Sequence, residues 1–160
     1  MRFLFISDLH IKQNTLPENT AWVAHFCRYI TENSGLDPVI VFVLGDVIDQ
    51  GVPAAFDAAD AFFSYIKEQV SPVDIQFIFL PGNHDYCDGD LSPFMVFCQR
   101  HGRDQIDFTV KSTWQVEFGQ INFILADSMN GRGHREPGML SAAEIENAFR
   151  ADKTNVLLMH

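Results

Sequence analysis

Three apolar runs, at 2–7, Val39–Leu44 and Ile75–Leu80, each stop at a cluster of polar residues. The second is wholly apolar, as suits a parallel strand covered on both faces. Between the runs lie two stretches with apolar residues at helical spacing. In the first, Trp22, Val23, Phe26, Tyr29 and Ile30 form a stripe. Asn19 or Thr20 caps that helix, it continues to about Asn33, and Gly35 ends it. In the second, after Pro53, the stripe is Phe56, Ala59, Phe63 and Ile66. This pattern predicts a βαβαβ unit with right-handed crossovers.

The second half reads differently. A short helical stretch at 93–101 leads into strands at 108–110, Thr113–Phe118 and Ile121–Ala126, the last two joined by Gly119-Gln120 as a II′ turn. A loop with three glycines runs from Asp127 to Gly138. Ser141 and Glu144 predict a capping box for a helix to about Ala151. A strand at 155–159 follows, and His160 is the last residue. There is no internal repeat or interdomain linker, so 160 residues predict one domain.

Apolar residues make up 47% of the chain, with fifteen phenylalanines, enough for a packed core. The net charge of −10 disfavours sequence-independent nucleic-acid binding, which needs cations against phosphates. It equally disfavours docking on an anionic membrane. Cys27, Cys87 and Cys98 show no Cys-x-x-Cys spacing and suit reduced thiols in the cytoplasm. The amino-terminal apolar run is too short for a signal peptide or a membrane span.

The polar clusters carry the chemistry. They are Asp8-Leu9-His10, Gly45-Asp46-Val47-Ile48-Asp49 and Gly82-Asn83-His84-Asp85. Loops at the carboxyl ends of strands in an open α/β sheet converge on one crevice. Carboxylate, amide and imidazole groups without paired cysteines suit two divalent first-row cations better than a structural zinc. Taken singly, each cluster has a plain reading: Asp46 as a helix cap, Gly82-Asn83 as a turn. Their joint occurrence after three strands points to a site. Cys87 reads as a loop residue before it reads as an accessory ligand.

With its D-x-H, G-D-x-x-D and G-N-H-[DE] motifs in order, the chain resembles the calcineurin-like metallophosphoesterases. The segment Ile124-Leu-Ala-Asp-Ser128, the helix start Gly138-Met-Leu-Ser141 and Val156-Leu-Leu-Met-His160 are similar to the class III cyclic-nucleotide phosphodiesterase branch. The resemblance implies an α/β fold, a four-layer αββα sandwich incomplete at its carboxyl end. It implies metal ligands at Asp8 and His10 for one ion, Asn83 and His160 for a second, and Asp46 bridging both.

The same resemblance makes His84 the group that protonates the leaving oxygen or stabilises charge on it. Asp49 would be the carboxylate that orients His84, although a helix-entry cap is its plain reading. Asp85 would lie behind these ligands. A water bridging two ions (Mn, Fe, Ni or Zn) would lose its proton and attack phosphorus.

Gln50 and Asp85 depart from the serine/threonine protein phosphatases, which have arginine and glutamate there. The implied substrate is a small phosphate ester, most simply a phosphodiester such as a cyclic nucleotide. A binding scaffold and a metal-dependent nuclease are the rival classes. The family's closing glycine-histidine-x-histidine motif is absent. His25 and His101 read as surface or helix-face residues, and His134, between Arg132 and Arg135, as part of a substrate-side or solvated loop. The expectation is a shortened chain with weak or no activity alone, whose uncovered sheet edge favours self-association or a completing segment.

Overall fold

The computed structural model describes residues 1–35, 37–103, 106–129 and 138–160. Strands β1 (Arg2–Ile6), β2 (Val39–Leu44) and β3 (Ile75–Leu80) form a parallel sheet in that order. Strands β4 (Thr113–Phe118), β5 (Ile121–Ala126) and β6 (Thr154–Met159) form a second sheet. There β4 and β5 are an antiparallel hairpin, and β6 runs parallel to β5. Gly119 has φ +57° while Gln120 stays at negative φ, as a II′ turn requires.

The sheets meet through phenylalanines. Phe42 of β2 and Phe123 of β5 have ring centroids 4.4 Å apart, and Phe3 of β1 lies 5.1 Å from Phe123. Side chains alternate along a strand, so Phe77 and Phe79 of β3 face the other way. They meet Phe63 of α2 (Ala55–Gln69), and Phe79 also meets Phe97 of α3 (Ser92–His101). Helix α1 (Ala21–Asn33) joins this layer where Trp22 stacks on Phe62. On the outer face of the second sheet, Asn122 of β5 donates to the Ala148 carbonyl of α4 (Ala142–Ala148) at 2.9 Å. The result is an α/β sandwich layered helix, sheet, sheet, helix.

Several elements differ from expectation. Residues 108–110 form a turn, not a strand, because the Asp107 carboxylate accepts the Thr109 N–H at 2.9 Å and its carbonyl accepts that of Val110. Helix α4 stops at Ala148 rather than near Ala151, since the Asn155 side chain binds the Arg150 N–H and carbonyl instead. Ser141 caps α4 by accepting the Glu144 N–H, while the Glu144 carboxylate accepts the Ser112 hydroxyl. Tyr29 is exposed, and Cys27 takes its place in the buried stripe. Strands β1 and β6 edge their sheets and expose Phe5, Leu157 and Met159.

Candidate metal centre

The first loop leaves β1 at Ile6, one residue earlier than the sequence suggests. Asp8 and His10 do not continue the extended strand; they lie in the left-handed region at φ +55° and +46°. Asp46, after β2, does the same at φ +52°. Three non-glycine residues in this sparsely populated region mark a site where the surroundings hold the backbone. The first two loops are laced together: His10 N–H binds the Asp46 carbonyl at 3.0 Å, and Ile11 N–H binds that of Val47 at 2.9 Å.

Two glycines permit the convergence. A Cβ on Gly82 would lie 2.3 Å from both the nitrogen and a carboxylate oxygen of Asp46. Gly45, at φ +83°, approaches the His160 ring and Gly82 so closely that a Cβ would sit 2.6 Å from Cγ of His160. The glycines of both motifs are therefore needed for contact between loops.

Asp46 sits at the centre and is only 4% exposed. Its Oδ1 accepts the main-chain N–H of His84 at 2.9 Å. Its Oδ2 lies 3.4 Å from Nε2 of His160 and 3.9 Å from Nε2 of His10. That His10 nitrogen is also 3.9 Å from Oδ1 of Asp8. Nε2 of His160 is 3.3 Å from Oδ1 of Asn83. Among the described residues, two groups have ligand atoms close enough to share an ion: His10, Asp46 and His84, and Asp8, Asp46 and His160. Asp46 belongs to both. The expected pairing of Asp8 with His10 remains within reach at 3.9 Å, and the first group adds His84.

The electrostatics suit a cation. The Asp46 hydrogen bond, against the opposing effect of burial, raises the His160 imidazole to about 9. Burial pushes Asp46 up, yet hydrogen bonds from His160 and the His84 N–H hold it below its ordinary value. A proton is favoured where the His160 nitrogen faces a buried carboxylate, and a divalent ion suits the same place.

The histidines are oriented from behind. Nδ1 of His160 donates to the Leu44 carbonyl at 2.9 Å, which leaves Nε2 for the centre. Nδ1 of His84 donates to the main-chain carbonyl of Asp49 at 2.5 Å. The expected partner was the Asp49 carboxylate; one oxygen of that group lies 3.8 Å from Nδ1 of His10. Ser128 supports the last strand by donating its hydroxyl to the His160 carbonyl at 2.7 Å.

Asp85 has a role that sequence reasoning left open. Fully buried, its carboxylate accepts N–H groups from Gly82 at 2.8 Å, Val47 at 2.9 Å and Ile48 at 3.3 Å. It clamps the second and third ligand loops together. Burial pushes this carboxyl up to about 7, against donors that favour its ionised form. Sequence reasoning gave no role to Tyr86; its hydroxyl donates at 2.5 Å to buried Asp127, the acid of the Ile124–Ser128 segment.

Beside His84 opens a cavity of about 400 Å³, lined by Asp49, Gln50, Asn83, Tyr86 and Asp88 among others. Cys87 is buried, and burial raises its thiol to about 11, which disfavours the thiolate a metal would need. His25 is exposed beside Arg28, whereas His101 is buried and paired with Asp60 at 2.9 Å, not on the surface. Arg132, His134 and Arg135 lie outside the described residues. No described helix is long and apolar enough to cross a membrane.

Comparison with curated proteins gives no match. The family model for calcineurin-like phosphoesterases matches residues 1–158. Nearly the whole chain is covered, and it belongs to the calcineurin-like phosphoesterases, hydrolases that cleave phosphoric esters with the help of divalent metal ions.

Proposed function

We propose that this chain hydrolyses a small phosphodiester, a cyclic nucleotide or similar, at a centre of two divalent ions. The observation that carries the reading is the placement of Asp46 in both groups of ligand atoms, as a shared carboxylate would be. Asp8, His10, Asn83 and His160 are the remaining ligands in this reading. The oxygen and imidazole donors suit Mn, Fe, Ni or Zn. Such ions, when bound, acidify water and neutralise charge growing on the phosphoryl oxygens.

The chain's own groups do the rest. His84 lines the cavity, and its Nδ1–H bond to the Asp49 carbonyl leaves Nε2 as the nitrogen that would serve the leaving oxygen. Protonated there, it delivers a proton as the ester bond breaks, or it offsets the charge on the departing alkoxide. Asp49, through its carbonyl, keeps that nitrogen on line. A cavity of about 400 Å³ has room for the leaving group of a small diester. Three free thiols accord with action in the cytoplasm.

The test is turnover of a chromogenic phosphodiester and its matching monoester by the purified chain, with added Mn and with a chelator. Metal-dependent release from the diester supports the reading. Hydrolysis of the monoester alone would overturn the diester assignment, and chelator-resistant turnover would overturn the metal mechanism.

A further inference from the structure

His10 differs from the other two histidines of the centre. His84 and His160 each give Nδ1–H to a main-chain carbonyl, which settles the nitrogen left for chemistry. His10 has no such bond among the described residues: its Nδ1 is shut off from solvent without a hydrogen-bond partner. Its Nε2 faces Asp8 and Asp46, at 3.9 Å from each. Oδ1 of Asp49 stands 3.8 Å from the orphan nitrogen.

The surrounding backbone keeps Asp49 beside His10. Asp49 N–H binds the Ile11 carbonyl at 3.1 Å, and Ile11 pairs with Ile48 in a parallel bridge. The residue after His10 and the residue before Asp49 are thus joined. A buried imidazole N–H without an acceptor is costly, and water has no access to this one.

We infer that the Asp49 carboxylate is the positioning group for His10, taking its Nδ1–H and so presenting Nε2 to a cation held with Asp8 and Asp46. The inference rests on the metal reading above and assigns the carboxylate to a different ring from the one the family resemblance suggested. Asp49 then serves two histidines with two atoms, its side chain for His10 and its carbonyl for His84. A metal-bound imidazole commonly passes its second N–H to a carboxylate, which fixes the tautomer and strengthens the ligand.

Because only one of those atoms belongs to the side chain, the roles separate by substitution. The zinc-loaded full chain should show a slowly exchanging, downfield Nδ1–H resonance, assigned to His10 by its loss in His10→Gln. Asp49→Ala should remove that resonance, retain the His84 ring proton, and weaken zinc binding by about 10–100-fold. Asp49→Asn keeps an acceptor oxygen and should restore the resonance and part of the affinity.

An unchanged His10 proton and unchanged affinity in Asp49→Ala would overturn the proposal, as would loss of the His84 proton in its place. Should the wild-type chain bind no zinc, the metal reading fails separately. The proposal is then decided on the ion-free chain, by whether the His10 ring proton still depends on Asp49.

Discussion

Oδ1 of Asp46 accepts the main-chain N–H of His84 at 2.9 Å, so the acid common to both groups of candidate ligand atoms also anchors the residue we propose faces the leaving group. Charge and position can be separated at this carboxylate. Asp46→Asn keeps an oxygen for the His84 N–H but loses the negative charge between the histidines. We expect a folded chain by circular dichroism, loss of bound metal, and a fall in kcat/KM of about 100-fold or more. Wild-type turnover in this variant would remove Asp46 from the centre.

Gly82 and Asp46 touch so closely that any side chain at 82 must move the loop, since a Cβ would meet Asp46 at 2.3 Å. The φ of Gly82 is −107°, so the obstacle is space rather than backbone conformation. Gly82→Ala should cost about 1–3 kcal/mol by urea denaturation and lower metal affinity with it. A neutral effect on both would mean that the loops are not held in this contact.

Asp85 should matter for folding although it belongs to neither group of candidate ligand atoms. Asp85→Ala strands three buried N–H groups, on Gly82, Val47 and Ile48. Each unsatisfied donor costs roughly 1–3 kcal/mol, so a loss of at least about 2 kcal/mol is expected. Asp85→Asn, which keeps one acceptor oxygen, should lose less. Equal stability of all three proteins would refute the clamp.

The apolar runs of β2 and β3, with boundaries matching the structure, were legible because a buried parallel strand has little alternative composition. The convergence of the residues after each strand was legible because strand ends dictate where loops meet. The backbone at Asp8, His10 and Asp46 was not: left-handed φ values there come from bonds between loops, which a local spacing argument replaces with an extended strand. Asp85 and Val47 are 38 residues apart, and a side chain binding main-chain N–H groups leaves no pattern in the partner's identity. The turn at 108–110 was misread because its apolar residues outweighed Asp107, whose side-chain hydrogen bond decides the conformation.

His101, away from the centre, gives a pH test of the fold. It ends α3 and is buried against α2, and burial lowers its pKa although Asp60 beside it acts in the opposite direction. A histidine depressed in the fold binds its proton more readily when unfolded. Its stabilising contribution is therefore whole above the unfolded value of about 6.5 and is lost as pH falls toward the folded one. His101→Gln should flatten the decline in urea midpoint between about pH 6.5 and 5 relative to wild type. Parallel curves would show that His101 is not the titrating group.

Metal removal tests the centre without reference to any substrate. An ion that binds only the folded chain stabilises it by about 2.7 kcal/mol at one hundred times its dissociation constant. For a chain of this size that is a rise in Tm of roughly 5–10 °C, reversed by a chelator. Nε2 of His160 faces both Asp46 and Asn83, so His160→Ala should remove one of the two ions and a corresponding share of the rise. Asp46→Ala should abolish it, because both groups of ligand atoms contain that carboxylate. Two ions retained in His160→Ala by elemental analysis would take His160 out of the ligand set, and no manganese-dependent shift in the wild-type chain would count against the centre as a whole.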